Sequence, residues 1–402
     1  MLGTVQLAAI SFTFPVSFTL ISLSIGLSIG TSAVIARALG AKRLTEARTD
    51  GQVALWLGAA LVALLALIGY LCTVPLFTAL GAGAEVMPYI RQYMDIWFAG
   101  AVLLVLPMVG NAVLRAAGDT KTPSMIMAGS GLVNALLDPL LIFGLGPIPA
   151  LGMQGAAIAT LISWIVGSVL IIALLLKRDL IATRMIAPAA LFSICRKILR
   201  IGLPAAGANM LTPLAMGVLT AIMASYGAAA VAAFGVGARL ESIACLVVLA
   251  LSMTLPPFVS QNFGAGLMQR VQQAYRLCAR FVLLWQFAIY LLLALGAIPL
   301  ARLFSDEAEV ISIISQFLWI VPLAYGLQGI IILTNSSFNA LHQPGSALIL
   351  SIIRLFVFYV PLAWLGGKLA GVPGVFIGAT LGNLLTAGLA YHWFRQVVQR
   401  YQ

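Results

Sequence analysis

Long apolar runs, each ended by glycine, proline or a cluster of charge, recur along the whole chain and determine how it is read. A run of about 20 apolar residues crosses a bilayer as a helix. Eleven such segments are predicted, at 7–36, 51–79, 90–117, 123–145, 152–176, 203–226, 229–262, 272–303, 310–340, 346–366 and 374–398. Several exceed 25 residues, which implies tilt or extension beyond the hydrocarbon layer. The strands of a membrane barrel alternate in polarity and give no runs of this kind, so a porin-type barrel is excluded. The predicted class is an all-α integral membrane bundle.

Composition agrees with that class. The 402 residues are 62% hydrophobic and 8% charged, whereas a soluble globular chain carries roughly 25% charged residues. A cytosolic enzyme, a secreted disulfide domain and a nucleic-acid reader are thereby excluded. Cys72, Cys195, Cys245 and Cys278 lie far apart in apolar surroundings. They are expected to be buried packing residues rather than a disulfide framework or a zinc site. Met1 to Ala9 lack the basic opening of a signal peptide.

The net charge of +11 is unevenly placed. Seventeen of the 22 basic residues fall in alternate connections: Arg37 to Arg48, Arg115 and Lys121, Lys177 to Arg200, Arg270 to Arg280, and Arg395 with Arg400. The opposite connections hold only Arg91, Arg302 and Lys368. The positive-inside rule makes the first set cytoplasmic and places the C-terminus there. With eleven spans, Met1 is then expected outside.

Sliding the sequence on itself by 224 residues reveals an internal repeat. Ala38 to Leu44 lies on Asn262 to Met268, Val74 to Val86 on Ile298 to Val310, and Asn111 on Asn335. With a shift of about five residues, Gly152 to Thr160 falls near Gly371 to Thr380. The second copy begins one helix earlier, at Ile201 to Ser225, whose counterpart would precede Met1. The chain therefore reads as a twelve-helix, parallel-repeat protein without its first helix. The expected division is a five-helix lobe over 1–176, a basic cytoplasmic linker over 177–200 and a six-helix lobe over 201–402. Within the linker, Leu191 to Arg200 is amphipathic and suited to the membrane interface.

Ionisable groups at membrane depth are costly and by default mark a site. Asn134 and Asp138 are four residues apart on one helix face, and Pro139 loosens the backbone beside them. A low dielectric disfavours a charged carboxyl, which suits Asp138 to carrying a proton. A structural aspartate bonded to the backbone groups freed by Pro139 fits the same residues. Asn111, Asn335 and Thr160 can line a site or join helices by hydrogen bonds. Glu241, Arg239 and Arg354 also lie inside spans. Residues two apart do not face each other on a helix, so a cross-helix partner such as Arg354 is expected for Glu241 rather than Arg239. Asp95 sits near the outer surface and is expected to be solvated. The phosphate-loop pattern is absent, and Gly235 to Leu240 lacks the third glycine of a dinucleotide loop.

Six stretches together carry a resemblance: Gly40–Arg48, Asn111–Pro123, Asn134–Gly144, Gly152–Thr160, Ile201–Gly207 and Ser260–Gly266. They resemble the multidrug and toxic compound extrusion (MATE) transporters, in the DinF-like bacterial branch, over essentially the whole chain. The resemblance implies two six-helix lobes in the bacterial inner membrane, acting as a monomer without enzymatic activity. It implies proton or sodium antiport of cationic and amphipathic compounds, with no cofactor beyond the coupling ion. The coupling site it implies lies in the first lobe, at an aspartate of the first helix and, by motif match, Asn111, Asn134, Asp138 and Thr160; sodium at Asp138 is the alternative to a proton. The sodium-type branch uses carboxylates in its seventh and tenth helices, and 203–226 and 310–340 carry none. Where the first helix is concerned the chain departs from the pattern, so either an upstream segment or a shortened, inactive form is implied. A lipid-linked oligosaccharide flippase of the same superfamily is the rival transport reading. It needs several basic residues at depth, and only Arg239 and Arg354 qualify.

Overall fold

A bilayer offers no partner to a free N–H or C=O, so an apolar run must satisfy its backbone internally and folds as a helix. A computed structural model of the chain describes residues 4–144 and 149–401 and contains only helices, turns and loops there. The first half comprises α1 (Thr4–Gly40), α2 (Leu44–Leu71), α3 (Thr73–Ala79), α4 (Met87–Ala116), α5 (Lys121–Phe143) and α6 (Gly152–Lys177). Next come α7 (Pro188–Ala224), α8 (Ala228–Ala244), α9 (Leu246–Gly264), α10 (Met268–Leu295), α11 (Ala297–Phe304) and α12 (Ala308–Ile320). A 3-10 turn (Val321–Ala324) leads to α13 (Tyr325–Ala340) and α14 (Pro344–Ile352), and a π-helical segment (Ile353–Tyr359) to α15 (Val360–Gln399). α15 is two helices joined across a bend at Ala370 and Gly371. Each of the eleven predicted segments is helical; the expected positions of Met1 and Leu145 lie outside the described residues.

Several spans are broken where the apolar pattern runs on. Breaks fall at Cys72, Cys245 and Gly296, and at the 3-10 turn containing Pro322. At the breaks after Ala244 and Ala294 and at Pro107, freed carbonyls are met by side chains of neighbouring helices, and at Cys72 the Thr73 hydroxyl meets those of Gly69 and Tyr70. Pro107 cannot bond the Leu103 carbonyl one turn back, and Ser168 Oγ of α6 donates to it at 3.1 Å. Gln286 Nε2 donates to the Ala244 carbonyl at 3.0 Å, and Trp319 Nε1 to Ala294 at 3.1 Å.

The repeat is visible in the backbone. Lys42 (φ 60°) and Gly266 (φ 74°), 224 residues apart, both take the left-handed conformation, as do Gly118 (φ 92°) and His342 (φ 57°). Each ends a helix with the same long-range turn bond, Arg43 N to Ala38 O mirroring Leu267 N to Asn262 O, and Asp119 N to Leu114 O mirroring Gln343 N to Phe338 O.

Two compact units, Met1–Ala206 and Gly207–Gln402, divide inside α7. The 177–200 segment is a short loop and the opening of α7, and it packs with the first unit. Ile194 and Ile198 join that unit's core, and Lys197 Nζ lies 3.0 Å from Glu46 Oε1. Arg48 pairs with Asp179 at 2.7 Å. α1 and α7 touch backbone to backbone, since a Cβ on Gly26 would come 2.3 Å from the Gly202 carbonyl oxygen. The expectation of buried cysteines is corrected: only Cys245 is buried, Cys195 and Cys278 are half-buried, and Cys72 is exposed at the α2–α3 break.

Candidate functional site

In the first unit α5 packs against α6, with only its edge on α4, and Pro123 is its one buried residue. The α5–α6 register is set by two glycines. A Cβ on Gly155 would lie 2.3 Å from the Leu141 carbonyl oxygen, and one on Gly167 would lie 2.9 Å from Ser130 Oγ. This antiparallel register sets Asp138 level with residues 158–159 of α6. Asp138 is half-buried, and its Oδ1 accepts from Asn134 Nδ2 at 3.4 Å, so the two share a face as their spacing requires. Thr160 is the next residue along α6, its hydroxyl donating to the Ala156 carbonyl at 3.0 Å. Tyr93 of α4, to which no sequence motif points, lies within electrostatic reach of the Asp138 carboxylate.

Asn111 does not join this group. Gly100 of α4 faces Leu161, whereas Gly110 faces Ile171 and Leu175. Asn111 is therefore about 16 Å further along α4, at 1.5 Å per residue. It is 1% exposed with Oδ1 unpartnered. Its repeat mate Asn335 on α13 donates to Ser351 Oγ at 3.1 Å and also keeps a buried, unpartnered Oδ1. Asp95 lies 3.9 Å from Arg91, one turn away on α4.

The second unit has two apolar cores, one over Ala215–Ala379 and one over Val248–Val398, and a polar layer lies where they meet. Glu241 of α8 accepts from Gln328 Nε2 of α13 at 2.9 Å. Arg354, in the π-helical segment, donates from Nε to Asn383 Oδ1 of α15 at 3.2 Å, and its guanidinium lies 5.8 Å from the Tyr359 ring centroid. Glu241 and Arg354 share this layer and act on each other electrostatically, without a salt bridge. Arg239 is exposed and does not pair with Glu241. Gln328, Tyr359 and Asn383 carry no sequence signal, because each is identified only by what crosses to it from another helix.

Apolar helices repeated in parallel, with charged groups gathered into a polar layer at depth, define a multi-span membrane transporter. The MatE family profile matches residues 1–140 and 204–365. The chain belongs to that family, the MATE transporters. It is 44% identical over 401 residues to the FAD transporter of Shewanella oneidensis, covering 98% of this chain and 87% of that one. It is 28% identical over 364 residues to the probable multidrug resistance protein NorM of Thermotoga maritima, covering 88% and 77%. Among solved structures, the Vibrio cholerae MATE transporter VcmN in its bent form superposes with a TM-score of 0.94 at 36% identity, covering 100% of this chain and 90% of that one.

Proposed function

We propose that the chain exports FAD, or a flavin dinucleotide close to it, across the bacterial inner membrane. The observation that carries this is the 44% identity to the Shewanella FAD transporter over 98% of the chain, against 25–28% to relatives with multidrug names. A solute that is both a diphosphate and an aromatic ring system needs a cation and flat side chains at depth. This reading assigns that role to Arg354, Tyr359 and Tyr325 of the second unit, where the Arg354 guanidinium lies over the Tyr359 ring. Export is secondary active, with proton entry at Asp138, or sodium in its place, biasing the chain between two states open to opposite sides. Such a shift needs differential affinity for the two states, and a half-buried carboxyl with one weak partner supplies it. The C-terminus is cytoplasmic in this reading and the working unit a monomer.

A second reading, efflux of cationic or amphipathic compounds, is favoured by the relatives named as multidrug proteins, NorM of Thermotoga and MepA of Staphylococcus aureus. The two are separated in cells. Deleting the gene should lower FAD in the periplasm and medium, and restoring it should return FAD there without changing ethidium resistance. A deletion that leaves extracellular FAD unchanged and sensitises cells to ethidium overturns the flavin reading.

A further inference from the structure

The polar layer of the second unit holds a guanidinium without a counter-ion. Arg354 is ten residues past Pro344, about 15 Å along its span at 1.5 Å per residue. Its Nε is bound by Asn383. Among the described residues no carboxylate oxygen lies within 4.0 Å of it, and neither Nη has a hydrogen-bond partner. Glu241, the carboxylate that acts on it, is engaged by Gln328. Beside Glu241 and Tyr359 stands Tyr325, 0% exposed, whose hydroxyl has no partner.

A cation at this depth is costly unless an anion or a set of dipoles answers it. A guanidinium also presents N–H groups in a fork matched to phosphate oxygens. Here Asn383 and Tyr359 hold the fork in place while its outer N–H groups stay free. The backbone around it is irregular: Arg354 lies in a π-helical segment, Glu241 just before the break at Cys245, and Tyr325 just after the 3-10 turn. Irregular backbone at membrane depth is tolerated only where it is buried in protein or lines a cavity, and π-segments recur at functional positions.

We propose that Arg354, held by Asn383 and Tyr359 and joined by the Tyr325 hydroxyl, is an anion site that takes the phosphate groups of a transported nucleotide, with Glu241 as the competing charge. The identity of the nucleotide as a flavin rests on the preceding reading; the phosphate chemistry does not.

The test measures binding of sodium pyrophosphate, FAD and riboflavin to the purified full chain and to Arg354→Gln, Arg354→Lys and Glu241→Gln. Loss of a charge-assisted bidentate contact lowers an affinity by about tenfold to a hundredfold. That loss is expected for FAD and pyrophosphate in Arg354→Gln, with riboflavin unchanged. Arg354→Lys should keep the charge and recover part of the affinity. Glu241→Gln should tighten pyrophosphate, an effect that a merely structural glutamate would not give. If Arg354→Gln does not fold, the lysine and glutamine variants carry the same comparison. Absence of pyrophosphate binding to the native chain, or equal binding to Arg354→Gln, overturns the site. Arg354-dependent pyrophosphate binding in a chain that does not bind FAD overturns only the flavin assignment. FAD binding that ignores Arg354 overturns only the site.

Discussion

Replacing Asp138 by asparagine separates coupling from folding. The carboxyl is half-buried on α5, a helix with one buried residue, and its only side-chain hydrogen bond among the described residues is the 3.4 Å contact from Asn134. Such a long bond contributes no more than about 1 kcal/mol, and the asparagine amide oxygen can still accept it. Thermal unfolding should therefore shift by less than about 3 °C. The energetic loss lies in transport. A gradient of two pH units is worth about 2.7 kcal/mol per proton, so exchange of one proton for one solute supports accumulation of about a hundredfold. An amide in place of the carboxyl cannot carry that proton, and the accumulation ratio falls to unity while counterflow without a gradient continues. The assay is FAD accumulation by inside-out vesicles under an imposed pH step, with native chain, Asp138→Asn and Asn134→Ala side by side. Gradient-driven accumulation by Asp138→Asn equal to the native level refutes the assignment of coupling to α5.

Three structural predictions follow from the same contacts. Gly155→Ala drives a Cβ into the Leu141 carbonyl and should destabilise the α5–α6 pair by about 1–3 kcal/mol; Gly129→Ala on α5, where nothing lies within 4 Å, should be neutral or better in the same thermal unfolding series. Asp119, in the connection before α5, has its carboxyl held down at about 2 by the Thr122 hydroxyl and N–H and by Arg178. A depressed carboxylate stabilises the fold above its ordinary value near 3.8, so Asp119→Ala should cost about 1 kcal/mol at neutral pH, and the difference from the native chain should vanish as pH falls towards about 2. Tyr275→Phe removes the buried 2.6 Å bond with Thr334 and should lower stability by about 1–2 kcal/mol, leaving FAD accumulation unchanged.

The spans were legible because the bilayer imposes one backbone solution on any long apolar run. The repeat was legible in the aligned stretches Ala38–Leu44 with Asn262–Met268 and Val74–Val86 with Ile298–Val310, and the paired left-handed turns at Lys42 with Gly266 and Gly118 with His342 reproduce it in the backbone where the residues themselves differ. Asn134 and Asp138 were legible for a local reason, since spacing of four on a helix fixes a shared face. What stayed hidden is made by helices meeting. Gln328 reaches Glu241 across 87 positions of sequence, and Asn383 reaches Arg354 across 29. The break at Cys245 carries no proline, so periodicity ran through it, whereas the break at Cys72 is followed within three residues by Pro75 of α3, a signal that the apolar pattern overrode. Asn111 matched a motif with Asp138, yet its place along α4 sets it several turns away. The amphipathic pattern of Leu191 to Arg200 was legible, but not that its apolar face, Ile194 and Ile198, joins the first unit's core.

The central claim, outward movement of a flavin dinucleotide through this chain, is tested most directly by counterflow in proteoliposomes holding the purified protein and nothing else. Vesicles loaded with unlabelled FAD should take up labelled FAD transiently above its equilibrium level, with riboflavin a poor competitor and ethidium none. No overshoot with FAD, alongside clear counterflow of ethidium, would contradict the account.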